Sequence, residues 1–479
     1  MSSQIPTSRY GGIVDQVKRQ IKERIWLPGE RIPSVRVMSK AQSVSVMTVL
    51  KAYEQLEAEG WIYAKAKAGY FVAAHFNRLS EPEQATPQIV NRSIRINRHV
   101  FEVLRACKQP DVVPFGSAFP DPSLFPVPAI GRLLSQAIKT MPINSSISDL
   151  PPGSLDLRRA IAQRYLRDGI EVSLDELVIT SGAMESLGLC LAAVTQPGDS
   201  VAIESPAFYG ALQAIERLNL KAVEIPTHPR DGMSPEGLEQ AIAQNNVKAC
   251  WLMSKFQNPL GATMPVSRQQ AVYEVLARHD IPLIEDDVYA ELYFGAEKPM
   301  PLKALDDRGL VLHCSSFSKC LAPGLRVGWV AAGRYARQVE ELQFMSTLSV
   351  GAPNQLALAQ YLHHGGYDNH LRRLRRTLVQ RQQQMLGAIE ESFPAGTQVT
   401  RPAGGYFLWV VLPKPIDTSE LLTDLLERYQ ISIAPGTLFS ADHRYQHCMR
   451  INCAYPWDEK HQTALYQLAA YLTELCEKR

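Results

Sequence analysis

The sequence predicts an α/β protein: a mostly parallel sheet covered by helices, preceded by a small unit of three helices and a hairpin. Three observations carry this. From residue 113 to 479, apolar runs of strand length alternate with helical stretches, as expected of a sheet covered on both faces. Before residue 76 the order changes to three helix-length stretches followed by two short aromatic and β-branched runs. Between the two, Asn77 to Asn91 is rich in Ser, Glu, Pro, Gln and Thr, the composition of a flexible tether. The organisation expected is an N-terminal unit at 8–75, a linker at 76–112 and a body at 113–479.

Composition narrows the class. A chain of 479 residues exceeds one average domain. With 46% hydrophobic and 20% charged residues it is neither a disordered nor a membrane-embedded chain. The eight cysteines are scattered, without C-x-x-C or zinc spacing, which suits a reducing compartment. Met1 to Pro6 lacks the layout of a signal peptide, and apolar runs such as Leu187 to Val194 are too short to span a bilayer. A cytoplasmic protein with no membrane partner is expected. The net charge of +2 is unevenly placed: residues 1–75 hold 11 Lys and Arg against 6 Asp and Glu, the remainder 39 against 42. A basic N-terminal unit on a slightly acidic body points to nucleic acid at that end.

In the N-terminal unit, Val14, Val17, Ile21 and Ile25 recur at helical spacing, and Pro28-Gly29 is the expected stop. Ser34 is placed to cap a second helix, with Val37, Met38 and Ala41 inward. Ser45 is placed to cap a third, with Val49, Tyr53 and Leu56 buried and Gly60 at its end. Trp61-Ile62-Tyr63 and Tyr70-Phe71-Val72 then read as a hairpin whose tip carries Lys65 and Lys67. By pattern alone this is a helical protein-interaction domain or a winged helix-turn-helix. Ile94 to Cys107 reads as a further helix.

In the body, the strands expected are Leu177–Thr180, Val201–Glu204, Ala222–Ile225, Ala249–Met253, Leu283–Asp286, Val311–Cys314 and Val327–Ala331. Ligands of such sheets gather at the carboxyl ends of the strands, and the notable residues fall there. After Val311–Cys314 comes Ser315-Ser316-Phe317-Ser318-Lys319, then Pro323-Gly324-Leu325-Arg326. A lysine between two buried strands is poorly solvated, and lysines with lowered pKa condense with aldehydes. Ser316, Ser318 and Arg326 offer hydroxyls and a fixed positive charge to a phosphate. An aldehyde cofactor bearing a phosphate, pyridoxal 5′-phosphate (PLP), fits. A bare Ser-x-Lys is more often a surface loop, and the specificity lies in the whole fifteen-residue stretch. Thr180-Ser181-Gly182-Ala183-Met184-Glu185 opens a helix, a second place for a phosphate. Glu285-Asp286-Asp287-Val288-Tyr289 has too few further ligands at the right spacing for a metal, so none is expected. A buried carboxylate there suits a pyridine nitrogen.

These stretches, with Glu204-Ser205-Pro206-Ala207-Phe208-Tyr209-Gly210, Phe256-Gln257-Asn258-Pro259-Leu260-Gly261, Gly404-Gly405-Tyr406-Phe407-Leu408-Trp409 and Met449-Arg450-Ile451-Asn452, resemble the fold-type I, class I and II aminotransferases. Residues from Leu27 to Ala73 resemble the winged helix-turn-helix of the GntR regulators. Together the two halves resemble the MocR type of bacterial transcription regulator. The resemblance implies a large α/β domain plus a small C-terminal one, and PLP on Lys319. It implies that Gly182, Ala183 and Met184 hold the phosphate by main-chain contacts, together with Ser316, Ser318 and Arg326. Phe208 is implied over the ring, Asn258 and Tyr289 at the phenolic oxygen, and Asp286 at the ring nitrogen, with Asp287 as fallback. Arg450, beside Asn258, is the implied clamp for a substrate carboxylate. Double-stranded DNA is the implied partner, through Arg36, Ser45, Thr48, Lys51, Lys65 and Lys67. A homodimer and an amino acid or other amino-compound effector are also implied.

Three positions depart from the resemblance. Val46 stands where an arginine commonly follows the capping serine, leaving Val46 and Met47 to meet thymine methyl groups. Met184 stands where glutamine is common. Ser148 stands where a tyrosine reaching the neighbouring subunit's cofactor is usual. The alternative is a working aminotransferase, with Lys319 as general base and acid; a PLP-bound scaffold with no DNA role is a third reading.

Overall fold

The computed structural model describes residues 9–477 apart from 24, 28, 59, 66–68, 74–78, 95–98, 142–148 and 414–415. Lys67 and Ser148 lie outside the described residues.

The N-terminal unit runs α1 (Arg9–Lys22), α2 (Val35–Gln42), α3 (Val46–Ala58), β1 (Ile62–Lys65) and β2 (Gly69–Val72). Val14, Val17, Ile21, Met38, Val49, Tyr53 and Leu56 close one core with Ile62 and Val72. β1 and β2 pair antiparallel, Ile62 opposite Val72. The Ser34 side chain caps α2 by accepting from the Val37 amide, and Ser45 Oγ caps α3 by accepting from the Thr48 amide at 3.1 Å. Two expectations are corrected. α1 ends at Lys22, before Pro28-Gly29, because the Ile25 amide bonds back to Gln20 O; that five-residue closure ends the helix and leaves Ile25 exposed. On α2 Met38 is buried and Val35, one turn before it, packs against the same core, while Val37 and Ala41 are exposed: the inward face starts at Val35, and Val37 stands off it at 3.6 spacing.

The body is built on one mixed sheet. Its strands are β3 (Asn91–Ser93), β4 (Leu177–Thr180), β5 (Ser200–Ser205), β6 (Lys221–His228), β7 (Gly232–Met233), β8 (Val247–Leu252), β9 (Leu283–Asp286), β10 (Val311–Ser316) and β11 (Gly328–Ala331). The order is β3-β6-β5-β8-β9-β10-β11-β4, with β7 also on β6. The run β6-β5-β8-β9-β10 is parallel; β11 is antiparallel to both neighbours. β4, β5 and β9 are buried along their whole length, so both faces are covered by helices, as parallel sheets require. A second, antiparallel sheet holds β12 (Gln398–Val399), β13 (Phe407–Val411), β14 (Ala434–Pro435) and β15 (Cys448–Asn452), in the order β12-β13-β15-β14. This gives the expected large and small α/β parts.

The linker differs from a free tether. The Val399 amide donates to Ser80 O, Glu81 pairs with Arg230, and Pro82 and Pro87 are buried. β3 then lies antiparallel on β6, Asn91 opposite Val223. Low apolar content misleads here because prolines and backbone hydrogen bonds, rather than large side chains, fasten the segment. A helix at His99–Ala106 follows, with Val100, Val103 and Ala106 buried. The N-terminal unit touches the body through Lys51 Nζ on Glu297 Oε1 at 2.5 Å, and through Gln383 Nε2 donating to Glu57 O. Among the described residues no helix is long and apolar enough to cross a membrane.

Candidate cofactor cavity

Parallel strands deliver their carboxyl ends to one edge, so residues far apart in sequence converge. Asp286 ends β9, in register with Cys314 of β10; Ser316 ends β10, with Lys319 three residues on. β4 leads to Gly182, β5 to Phe208 and β8 to Asn258. These ends enclose a cavity of about 340 Å³. Of the residues expected at a cofactor, Ala183, Met184, Phe208, Asn258, Asp286, Tyr289, Ser316, Ser318, Lys319 and Arg326 all line it.

One end suits a phosphate. Arg326 Nη1 donates to Ser318 Oγ at 3.3 Å and its Nη2 to Ser181 O at 3.4 Å. The Ser318 amide donates to Ser316 Oγ. The helix Ala183–Val194 begins here with Gly182 as its N-cap, and first-turn amides have no acceptor within their helix. Gly182 has φ +97°, and a Cβ on it would stand 2.7 Å from Arg326 Nη2. Glycine therefore lets the arginine close over the helix start.

The opposite end holds polar atoms with nothing to bond. Both Asp286 carboxylate oxygens, Asn258 Nδ2 and Arg450 Nε are buried without a hydrogen-bond partner among the described residues. Burial pushes the Asp286 carboxyl up to about 7; the nearby Val288 amide and the Lys319 ammonium oppose this, and the neighbouring Asp287 charge adds to it. Arg450, on β15 of the small sheet and fully buried, donates from Nη1 to Asn258 Oδ1 at 2.9 Å and from Nη2 to Gly116 O at 2.7 Å. It lies 4.2 Å over the Phe407 ring. Tyr289 packs edge-on against Tyr406 and Phe407, and burial raises its hydroxyl. Lys319 Nζ, in the middle, donates to Ala118 O at 2.8 Å and sits 4.6 Å over the Phe119 ring. Withdrawal from water, then the Arg450 and Arg326 charges, lower its pKa to about 7. A lysine so held is substantially neutral near pH 7 and nucleophilic toward an aldehyde.

Asp287 takes no part in the cavity. Its Oδ2 lies 2.6 Å from Lys255 Nζ and 2.8 Å from His313 Nε2, all three residues being buried. His313 Nδ1 is 2.6 Å from Tyr165 OH, which accepts from Trp329 Nε1 at 3.1 Å. With the tyrosine donating to Nδ1, the Nε2 proton goes to the carboxylate. Asp287 is held below the usual carboxylate range: burial opposes this, and Lys255 and His313 outweigh it. Of the two acids at this strand end, the one available to a ligand is Asp286.

In the N-terminal unit, Arg36, Val46 and Met47 are exposed, Met47 at 69%. Ser45 and Thr48 bond each other at 2.8 Å at the start of α3. Lys65 is exposed at the end of β1, its Nζ 6.0 Å over the Phe71 ring. Lys51 is turned to Glu297 and to the Tyr10 ring, 4.6 Å away.

A winged helix-turn-helix joined to a fold-type I body is a class with two separate sites, one facing DNA and one enclosing a cofactor. Comparison with known proteins agrees in both halves. Residues 121–468 match the class I and II aminotransferase family, and residues 9–72 match the gntR family of bacterial regulatory proteins. The chain is 47% identical over 466 residues to the uncharacterized HTH-type transcriptional regulator YdcR of Escherichia coli K12, covering 97% of this chain and 99% of that one. Among solved structures, the multiple substrate aminotransferase of Thermococcus profundus superposes with a TM-score of 0.74 at 29% identity, over 80% of this chain and 97% of that one. The α-aminoadipate aminotransferase LysN of Thermus thermophilus, complexed with N-(5′-phosphopyridoxyl)-L-leucine, gives 0.73 at 26% identity over 81% and 97%. The chain belongs to the class I and II aminotransferase family, in the branch fused to a GntR-type DNA-binding region.

Sequence reasoning gave no site role to several lining residues, among them Leu104, Ala118, Phe119, Tyr209 and Gln213. Tyr209 was visible beside Phe208. Leu104 and the Ala118-Phe119 pair lie between β3 and β4 and follow no motif; only the closed fold brings them to the strand ends.

Proposed function

We propose that this protein is a PLP-dependent, DNA-binding transcription regulator of the cytoplasm, whose body binds PLP and senses an amino compound. The observation that supports it best is the set of buried polar atoms without partners around Lys319: the Asp286 oxygens, Asn258 Nδ2 and Arg450 Nε. Unpaired buried polar atoms are costly. A phosphorylated pyridine aldehyde would give partners to this donor and acceptor set. Lys319 would hold the aldehyde carbon, and Asp286 would keep a proton on the ring nitrogen. Asn258 and Tyr289 would face the phenolic oxygen, and Phe208 the ring. Gly182, Ala183, Met184, Ser316, Ser318 and Arg326 would hold the phosphate, and Arg450 with Asn258 an amino acid's carboxylate. When bound, PLP supplies an electron sink for the bonds at an amino compound's α-carbon.

The DNA-binding unit is assigned to 8–75 and the body to 113–479, with 76–112 between them. Ser45, Val46, Met47 and Thr48 start the helix that would enter the major groove, with Arg36, Lys65 and Lys67 at phosphates. Lys51 would join them on leaving Glu297. A homodimer is supported by exposed Phe344, Met345 and Leu348, beside the Thr347–Glu185 hydrogen bond at the start of the Ala183–Val194 helix; such a patch suits a second copy. Aminotransferase turnover is a second reading. The lowered lysine favours it, since a base with pKa near 7 can take and return a proton at the α-carbon.

The test is the visible spectrum of the purified protein, wild type beside Lys319→Ala, with and without borohydride. A cofactor band that borohydride fixes covalently to the wild type alone is the expected result. No PLP uptake after adding the cofactor overturns the reading. Turnover of amino acids with a 2-oxo acid acceptor that survives deletion of residues 1–75 would favour the enzyme.

A further inference from the structure

We infer that the amino compound sensed by the body is an α-amino acid with an apolar side chain, and that Leu104 is a specificity-determining residue for it. This rests on the reading of the cavity as a PLP and amino-compound site.

The charged groups lining the cavity are Asp286, Lys319 and Arg326, and each already has a task at the cofactor. Arg450, reached through Asn258, is the group left for a carboxylate. The lining residues left without a task at the cofactor include Leu104, Phe119, Tyr209 and Gln213, none of them charged. Phe119 lies under the lysine ammonium, and Tyr209 is close enough to Arg450 to feel its charge. Leu104 belongs to the helix His99–Ala106, and Cys107, just after that helix, also feels the Arg450 charge. Leu104, Phe119 and Tyr209 are therefore the side chains we assign to a substituent on the α-carbon.

None of the three carries a charge. A carboxylate or ammonium seated there would be desolvated without a counter-ion, which is heavily penalised. An aliphatic or aromatic group there would exchange water for apolar contact. The class expected is therefore that of leucine or phenylalanine, not aspartate or lysine. Leu104 differs from the other two in its place in the chain: it lies on the segment that joins the DNA-binding unit to the body.

The experiment titrates the full-length, PLP-loaded protein with L-leucine, L-phenylalanine, L-aspartate and L-lysine, reading the visible band of the bound cofactor and the heat of binding. L-Leucine or L-phenylalanine is expected to bind on the order of 100-fold more tightly than the charged pair. In Leu104→Arg the L-aspartate to L-leucine affinity ratio is expected to rise about tenfold or more, and in Leu104→Met to stay close to wild type. Circular dichroism and PLP stoichiometry check that each variant is folded and loaded. L-Aspartate or L-lysine binding as tightly as L-leucine, or a ratio unmoved by Leu104→Arg, overturns this inference alone. A PLP-loaded protein that responds to none of the four overturns the sensing reading with it.

Discussion

Asp286 and Asp287 are adjacent, both buried, and treated oppositely by the protein. On one side of the chain Asp286 lines a cavity and has no ion pair or side-chain hydrogen bond among the described residues. On the other, Asp287 meets an ammonium and an imidazole within 2.8 Å. The first carboxyl is pushed up, the second down. Asp287 Oδ1 also lacks a hydrogen bond, so the difference lies in charge: Asp287 is matched by a buried cation at 2.6 Å, whereas Asp286 has no ion pair and faces a cavity a ligand can fill.

Breaking the charge-matched cluster should have the largest effect on stability. Lys255→Met leaves the Asp287 charge buried with one partner fewer and is expected to cost about 3–5 kcal/mol. Asp286→Asn in the cofactor-free protein should do the reverse, stabilising by about 1–3 kcal/mol at pH 8 because a charge without partners is removed. The same variant should hold PLP roughly 10- to 100-fold more weakly. Urea unfolding of both variants, without and with PLP, checks all three. Asp286→Asn that destabilises the cofactor-free protein would remove the distinction between the two acids.

A pH series sharpens it. The folded protein keeps the Asp286 proton up to about pH 7, while an unfolded chain releases it near about 3.9. The folded state binds more protons in between, so this group's contribution falls as pH rises from 4 to 7, by on the order of 4 kcal/mol. Lys319 acts in the other direction. Its folded pKa of about 7 lies below the unfolded value of roughly 10.4, so stability recovers as pH rises above 7. The cofactor-free protein is expected to show a minimum near pH 7 from this pair. Asp286→Asn should flatten the acid limb and Lys319→Met the alkaline one.

Smaller effects follow at the cavity rim and on the DNA-facing surface. Gly182→Ala forces a Cβ toward Arg326 and an unfavourable φ. It should cost about 1–3 kcal/mol and lower PLP affinity about tenfold, read by equilibrium dialysis. Met47→Ala, at an exposed position, should change stability by less than about 0.5 kcal/mol. It should still weaken binding to a selected operator, and replacing the contacted thymine by uracil in wild type should weaken it similarly.

The strands and the cofactor motifs were legible because each motif sits directly after an apolar run, and the sheet carries it to one edge. Asp286 was separable from Asp287 only through the resemblance; spacing alone leaves both. The reason they differ is Lys255, 32 positions earlier in the sequence, and His313 on the neighbouring strand; neither has a local signal. Val37 and Ile25 were misplaced because short helices and their closures depend on backbone bonds that hydrophobic spacing does not encode. The linker's attachment was invisible for a related reason: what fastens it is main chain and proline.

That attachment bears on how the protein can be divided. β3 covers the outer side of β6, pairing Asn91 to Ser93 with Val223 to Lys221. Cutting the chain near residue 76 would remove the DNA-binding unit and leave the sheet rim covered. Cutting at 112 would bare main-chain donors and acceptors beside buried Ala222 and Val223, a ready template for strands of other molecules. The shorter fragment should therefore associate with itself and lose solubility where the longer one stays dispersed. In colloidal terms, the last residues of the tether belong to the body.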